Sequence, residues 1–139
     1  MVMLGDNIIE QDIRPFVNRF KKQKEGARLL LKKVEDPERF GVAELKGEKV
    51  VRIVEKPKRP KSPYIVTGIY MFDNRVFDII RTLKPSGRGE LEISDVNNQY
   101  IDKGTLEYDF LEGFWTDAGT FESLLRANIL VAEKSKKIK

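Results

Sequence analysis

The chain has 139 residues, 40% of them hydrophobic, with a formal charge of +4 and a pI near 9.2. That length is enough to bury a core and reads as a single domain over residues 1–139. The mild basic excess suits an anionic ligand, and the absence of any cysteine or histidine excludes disulfides, thiolate or imidazole metal sites and the usual neutral-pH base.

Val2-Met3-Leu4 is short and apolar and leads into Gly5-Asp6-Asn7, which reads as a buried strand with polar residues at its C-terminal end. Asp12, Pro15, Phe16, Phe20 and the lysines after them predict an amphipathic helix stopping near Gly26. Ala27 to Lys33 is a second apolar segment, and Pro37 breaks the chain after it. Gly47 marks a hairpin turn between Val42–Leu45 and Val50–Val54. A basic loop with Pro57, Pro60 and Pro63 follows, then a second apolar run from Tyr64 to Phe72, interrupted by Gly68. Asn74 is placed to cap a short helix through Arg81. Pro85 to Gly89 is a loop, and Glu90 to Lys103 reads as a helix with Ile93, Val96, Tyr100 and Ile101 on its apolar side. Leu106 to Leu111 alternates like a strand. Trp115 to Gly119 reads as a turn, and Thr120 caps a last helix through Glu133 whose buried face is Phe121, Leu124, Leu125 and Leu130. Residues 134–139 read as a frayed, basic helix end. Alternating strands and helices predict an α/β layered fold.

The stretch from Glu55 to Asp73 organises the chain. Strand, loop and second strand place Lys56 where a strand ends, and Pro57 is expected to leave Lys56 itself extended. A lysine held there meets a phosphate as a point charge, and Glu55 beside it accepts bonds from hydroxyl groups. Asp6 and Asp117 occupy similar places after apolar segments. Ligands of open α/β sheets gather outside the C-terminal strand ends, and two carboxylates meeting there suit one Mg²⁺ held by oxygen alone. Arg88 lies between Gly87 and Gly89, a thin backbone that lets its guanidinium reach a phosphate. Gly41, at a strand start, permits close approach of a ring-shaped ligand. Each of these residues also has a plainer reading: solvated hairpin charges, turn or cap aspartates, an exposed loop arginine, a strand-start glycine.

Six motifs occur together and in one order: Leu4-Gly5-Asp6-Asn7, Phe40-Gly41-Val42-Ala43-Glu44, Glu55-Lys56-Pro57, Val66-Thr67-Gly68-Ile69-Tyr70, Gly87-Arg88-Gly89-Glu90-Leu91-Glu92-Ile93-Ser94-Asp95 and Trp115-Thr116-Asp117-Ala118-Gly119-Thr120. In these the chain resembles the C-terminal half of sugar-1-phosphate nucleotidyltransferases, within them most nearly the glucose-1-phosphate thymidylyltransferase branch. The resemblance implies a partial Rossmann-like fold, a mixed open sheet with flanking helices, lacking the N-terminal nucleotide-binding half. It implies that Asp6 and Asp117 hold Mg²⁺, and that Lys56 and Arg88 grip the phosphate of a sugar 1-phosphate as the catalytic pair. Glu55 is then a sugar-hydroxyl ligand, Gly41, Val66 and Tyr70 line the sugar pocket, and Asn7 sits beside the metal aspartate as a further substrate contact. The implied reaction joins a nucleoside triphosphate, dTTP by preference, to the sugar 1-phosphate and releases pyrophosphate. It needs positioning and charge neutralisation rather than an acid–base residue.

The family's glycine-rich triphosphate loop, of the form Gly-x-Gly-Thr-Arg-Leu-x-Pro, has no counterpart here, so the chain alone is expected to be weakly active or inactive. The alternative is a non-catalytic sugar-phosphate-binding, regulatory or structural module. The edge of the first strand is expected to be covered by self-association in a homo-oligomer or by a complementary N-terminal half. Nucleic acid is not an expected partner, because basic residues and aromatics are not interleaved at a recognisable spacing. No apolar run approaches the roughly 20 residues of a membrane span, and no signal peptide is seen. A cytoplasmic protein without membrane partners is expected. The 35% of charged residues hints at a thermophilic source.

Overall fold

The computed structural model describes the backbone of residues 1–136 and the side chains of residues 1–133. The reading of residues 134–139 as a frayed end lies outside the described side chains. The elements, in chain order, are β1 (Val2–Met3), β2 (Asn7–Ile9), α1 (Arg14–Lys22), β3 (Ala27–Lys33), a 3-10 turn at Pro37–Arg39, β4 (Gly41–Lys46), β5 (Lys49–Glu55), β6 (Tyr64–Phe72), α2 (Val76–Thr82), α3 (Ile93–Asp102), β7 (Leu106–Phe110), β8 (Trp115–Asp117) and α4 (Phe121–Lys136).

The main sheet runs β5-β4-β6-β3-β7, with β1 added to β6. Only β3 and β7 pair in parallel, so the sheet is mixed. Its centre is β6, and in the neighbouring strand β3 the residues Leu29, Leu30 and Leu31 are all fully buried. Alternate side chains of a strand point to opposite faces. Leu30 therefore joins Phe16 of α1, Ile65, Ile69 and Met71 on one side, while Leu29 and Leu31 join Ala43, Ile53, Val66 and Tyr70 on the other. Val96 and Tyr100 of α3 and Val76 and Ile79 of α2 extend the core from the second face. A continuous apolar run such as Leu29–Leu31 is what a strand covered on both faces requires.

Several boundaries and burial expectations are corrected. Val2, Met3 and Leu4 are exposed rather than buried, because β1 is an edge strand with one partner. Helix α1 ends at Lys22 instead of running to Gly26, and α3 begins at Ile93 rather than Glu90. Helix α2 is led in by Asp73 and not by Asn74: Arg75 N donates to Asp73 Oδ1 at 3.0 Å. Trp115–Asp117 is a strand and not a turn, since it pairs antiparallel with β2 in a separate two-stranded ribbon. Helix α4 turns Phe121 (95% exposed), Leu124 and Leu125 outward and buries Ser123 and Ala127. The hydrophobic pattern identified the helix but not the side on which the sheet lies.

One irregularity positions the site. The pairing of β3 with β6 shifts register between Leu29, opposite Tyr70, and Leu31, opposite Val66. The bulged segment of β6 contains Thr67 and Gly68. Thr67 Oγ1 donates to Leu30 O at 2.9 Å, and the Gly68 backbone turns to β1 and β2 instead: its carbonyl accepts from Leu4 N at 2.8 Å and its N–H donates to Asn7 Oδ1 at 3.0 Å. Bulges re-aim the backbone next to functional sites.

Candidate active site

Asp6 and Asp117 lie far apart in sequence and become neighbours through the β2/β8 ribbon, in which Asn7 pairs with Asp117. Ala118 N donates to Asp6 O at 2.7 Å and closes the ribbon end. Gly119 then leaves a gap between the two acids: a Cβ there would stand 3.5 Å from Asp117 Oδ2 and 3.8 Å from Asp6 Oδ2. Two carboxylates facing one gap form a hard oxygen donor set, suited to Mg²⁺ that keeps water or phosphate for its other positions. Among the described residues no group of three or more acidic side chains is placed to hold a metal ion, so Asp6 and Asp117 are the acidic pair available at this gap.

A further part of the lining is built by the β4/β5 hairpin. Gly41 pairs with Glu55, and Lys56 N donates to Phe40 O at 3.0 Å. Lys56 is not extended, as the following proline suggested. Its φ is 40°, and it is the one non-glycine residue with positive φ among those described. The tie to Phe40 turns the chain sharply at the strand end and outweighs the local preference set by Pro57. Glu55 is held by Ser94 of α3, whose hydroxyl donates to Glu55 Oε2 at 2.6 Å. Gly41 sits in a tight place: a Cβ would stand 3.0 Å from Ser94 Oγ and 3.2 Å from Glu55 Oε2, so both side chains would have to give way.

The lining bounds a cavity of about 630 Å³, within the ordinary range for small-molecule sites. Asp6, Asn7, Gly41, Glu55, Lys56, Val66, Tyr70 and Asp117 all line it. Arg88 does not. Its Nη1 is 3.8 Å from Glu55 Oε1 and 3.5 Å from Glu92 Oε1, and its Nη2 is 3.1 Å from Glu90 Oε2. Arg88 thus stands behind Glu55, with three carboxylates around its guanidinium. Burial, with the charges of Glu55 and Asp6, pushes the Tyr70 hydroxyl up to about 12. It stays a neutral donor at any physiological pH.

Arg39, Phe40, Ser94 and Trp115 are among the lining residues to which the sequence assigned no role. Arg39 bonds Asp36 at 2.8 Å and reaches to 3.9 Å from Asp117 Oδ2. Its partner Asp36 holds it firmly protonated. Phe40 meets Trp115 edge-on with centroids 5.5 Å apart. Phe40, Ser94 and Trp115 stand inside the motifs quoted above, so their neighbourhood was legible, but nothing in their spacing told which way they face. Arg39 precedes its motif by one residue.

The nucleotidyl transferase family profile matches residues 1–134. The chain is 46% identical over 130 residues to a glucose-1-phosphate thymidylyltransferase of Neisseria meningitidis serogroup A, covering 91% of this chain and 45% of that protein. It is 38% identical over 135 residues to a low-salt glycan biosynthesis nucleotidyltransferase of Haloferax volcanii, covering 96% of this chain and 38% of that one. The chain therefore spans about half the length, or less, of the curated relatives it matches. Among solved structures, a proposed glucose-1-phosphate thymidylyltransferase of Bacillus anthracis in complex with sucrose superposes with a TM-score of 0.87 at 59% identity, covering 92% of this chain and 52% of that one. A UDP-glucose pyrophosphorylase bound to UDP-glucose superposes with a TM-score of 0.82 at 21% identity, covering 95% of this chain and 55% of that one, a likeness of fold alone. The mixed α/β architecture is thus the Rossmann-like one of nucleotidyltransferases.

Proposed function

The chain belongs to the nucleotidyl transferase family, and from that premise we propose that these 139 residues form the sugar-phosphate and cation side of a nucleotidyltransferase site. The reaction served is transfer of a nucleotidyl group from dTTP, or another nucleoside triphosphate, to glucose 1-phosphate or a related hexose 1-phosphate. A phosphate oxygen of the sugar 1-phosphate forms a bond to the α-phosphorus of the triphosphate. The bond from that phosphorus to the bridging oxygen breaks, and pyrophosphate leaves as the nucleotide sugar forms. The observation that carries the reading is that Asp6 and Asp117 line one cavity together with Glu55 and Lys56.

In this reading Glu55, oriented by Ser94, accepts hydrogen bonds from sugar hydroxyls. Gly41 keeps the backbone low enough for the sugar ring to pass. Lys56 meets the sugar phosphate as a point charge. Arg88 exchanges one of its carboxylate partners for the same phosphate, a fork suited to two oxygens. Asp6 and Asp117 would hold Mg²⁺, which when bound neutralises phosphate charge and aligns the reacting groups. Tyr70, Val66 and Trp115 exclude water from the sugar face. The part of the longer relatives that lies outside the match is assigned the triphosphate side.

Calorimetric titration with glucose 1-phosphate tests the reading. Binding to the 139-residue chain is expected, with affinity falling at least about tenfold in Lys56→Ala, in line with loss of a charge-assisted contact. Pyrophosphate release from dTTP and glucose 1-phosphate with Mg²⁺ is expected to be slight for these residues alone and restored by the remaining part of a relative. Binding without restored turnover favours the non-catalytic sugar-phosphate module. No binding at all defeats both.

A further inference from the structure

Asn7 is buried to 6% exposure at the junction of three elements. Its Oδ1 accepts two hydrogen bonds, from Gly68 N at 3.0 Å and from the indole Nε1 of Trp115 at 2.8 Å. Its Nδ2 donates to Asp6 Oδ1 at 2.9 Å. An asparagine amide offers two acceptor sites and two donors, so both acceptor sites and one donor are committed inside the protein. The amide cannot be turned over, because that would set its NH₂ group against two N–H donors. The Gly68 backbone is equally constrained. A Cβ at position 68 would fall 2.4 Å from Asn7 Nδ2 and 2.9 Å from Asn7 Cγ.

We propose that Asn7 is the positioning residue of the site and not a substrate contact in its own right. It acts through Asp6: with Oδ1 of Asp6 engaged by the amide, Oδ2, the oxygen facing the Gly119 gap, is turned to the cation. The same amide holds the Trp115 indole against the cavity and fastens both to the β6 bulge. Asp6, Trp115 and Gly68 are thus set by one side chain, and loosening Trp115 loosens Asp6 through it. Groups that orient metal ligands from behind typically change metal affinity by about 10- to 100-fold when removed. The inference rests on the cation role proposed above for Asp6 and Asp117.

The test uses Mn²⁺ alone as probe, with free ion counted by electron paramagnetic resonance on the 139-residue chain. In Asn7→Ser, Mn²⁺ affinity is expected to fall about tenfold or more. Trp115→Phe removes the indole donor together with some ring volume while keeping an aromatic ring, and its affinity is expected to fall by about threefold to tenfold through the Asn7 amide. The double variant should be no weaker than Asn7→Ser, since both changes act through one bond network. Thr67→Val, which cuts a different hydrogen bond of the same bulge, controls for mere destabilisation and should leave Mn²⁺ affinity unchanged. A folded Asn7→Ser that binds Mn²⁺ like the parent overturns the proposal. If Asn7→Ser does not fold, Trp115→Phe decides: lowered affinity supports the proposal and parental affinity overturns it. A parent chain that binds no Mn²⁺ removes the cation role and this inference together, an outcome distinct from parental affinity in the variants.

Discussion

Lys56 holds a left-handed backbone that a glycine would adopt without strain. Such a conformation costs a non-glycine residue on the order of 1 kcal/mol or more, and it is kept at a residue that lines the cavity. Lys56→Gly is expected to leave stability to urea unchanged or raise it by about 1 kcal/mol, while glucose 1-phosphate binding falls. A stability loss of the size usual for a core change would show that the strain argument is misplaced. Gly68 is the converse case. Its missing side chain is what admits Asn7, so Gly68→Ala overfills a closed junction and should cost about 1–3 kcal/mol, read from the shift in urea midpoint.

At the scale of elements, caps and their buried partners decide where helices begin. Thr120 and Ser123 bond reciprocally at the start of α4: Ser123 N donates to Thr120 Oγ1 at 3.1 Å, and Thr120 N donates to Ser123 Oγ at 3.0 Å. Thr120→Ala is expected to cost about 1 kcal/mol in the urea midpoint. Asp73 ties α2, α3 and the Gly26 turn together by accepting from Arg75, from the Tyr100 hydroxyl at 2.9 Å and from Gly26 N at 2.7 Å. Burial raises the Asp73 carboxyl, but the bonds from Arg75, Gly26 and Tyr100 together outweigh it and leave the group below its ordinary 3.8. A carboxyl depressed in the folded state adds stability that is complete above its unfolded pKa and is lost as pH falls through the folded value. Asp73→Asn should therefore lower stability at pH 7 and narrow the gap between unfolding midpoints at pH 7 and pH 3. An undiminished gap would place the acid sensitivity elsewhere.

For the whole molecule, the open feature is β1. It pairs with Ile69 and Tyr70 of β6 alone, and Val2 at 50% and Met3 at 41% exposure leave an apolar edge. Beside it lies an apolar groove of about 450 Å³ shared by β1, Phe77 and Ile80 of α2, and Ile93. Strand edges of this kind recruit another chain. Sedimentation velocity at micromolar concentration is expected to show dimers or larger species that Val2→Lys converts to monomer. A clean parental monomer would count against recruitment by a second copy. Among the described residues no helix is long and apolar enough to cross a membrane.

The linear order of residues was sufficient for the family and for most of the elements. Period-2 and helical patterns, the Gly47 turn and six ordered motifs are local signals, and they located the main-sheet strands and the helices within a few residues; β2 was not read as a strand and β8 was read as a turn, because their pairing joins segments far apart in the chain. The same motifs named Asp6, Glu55, Lys56 and Asp117 before any fold was available. Only the tertiary structure decided which way side chains face. It turned Phe121 and Leu125 of α4 to solvent, gave Lys56 a positive φ through its bond to Phe40, set Arg88 behind Glu55, and made Asn7 the joint between Asp6, Gly68 and Trp115. Those outcomes depend on partners up to 108 positions apart in the chain. Local propensity does not encode such pairings, because they exist only when the sheet brings the two segments together.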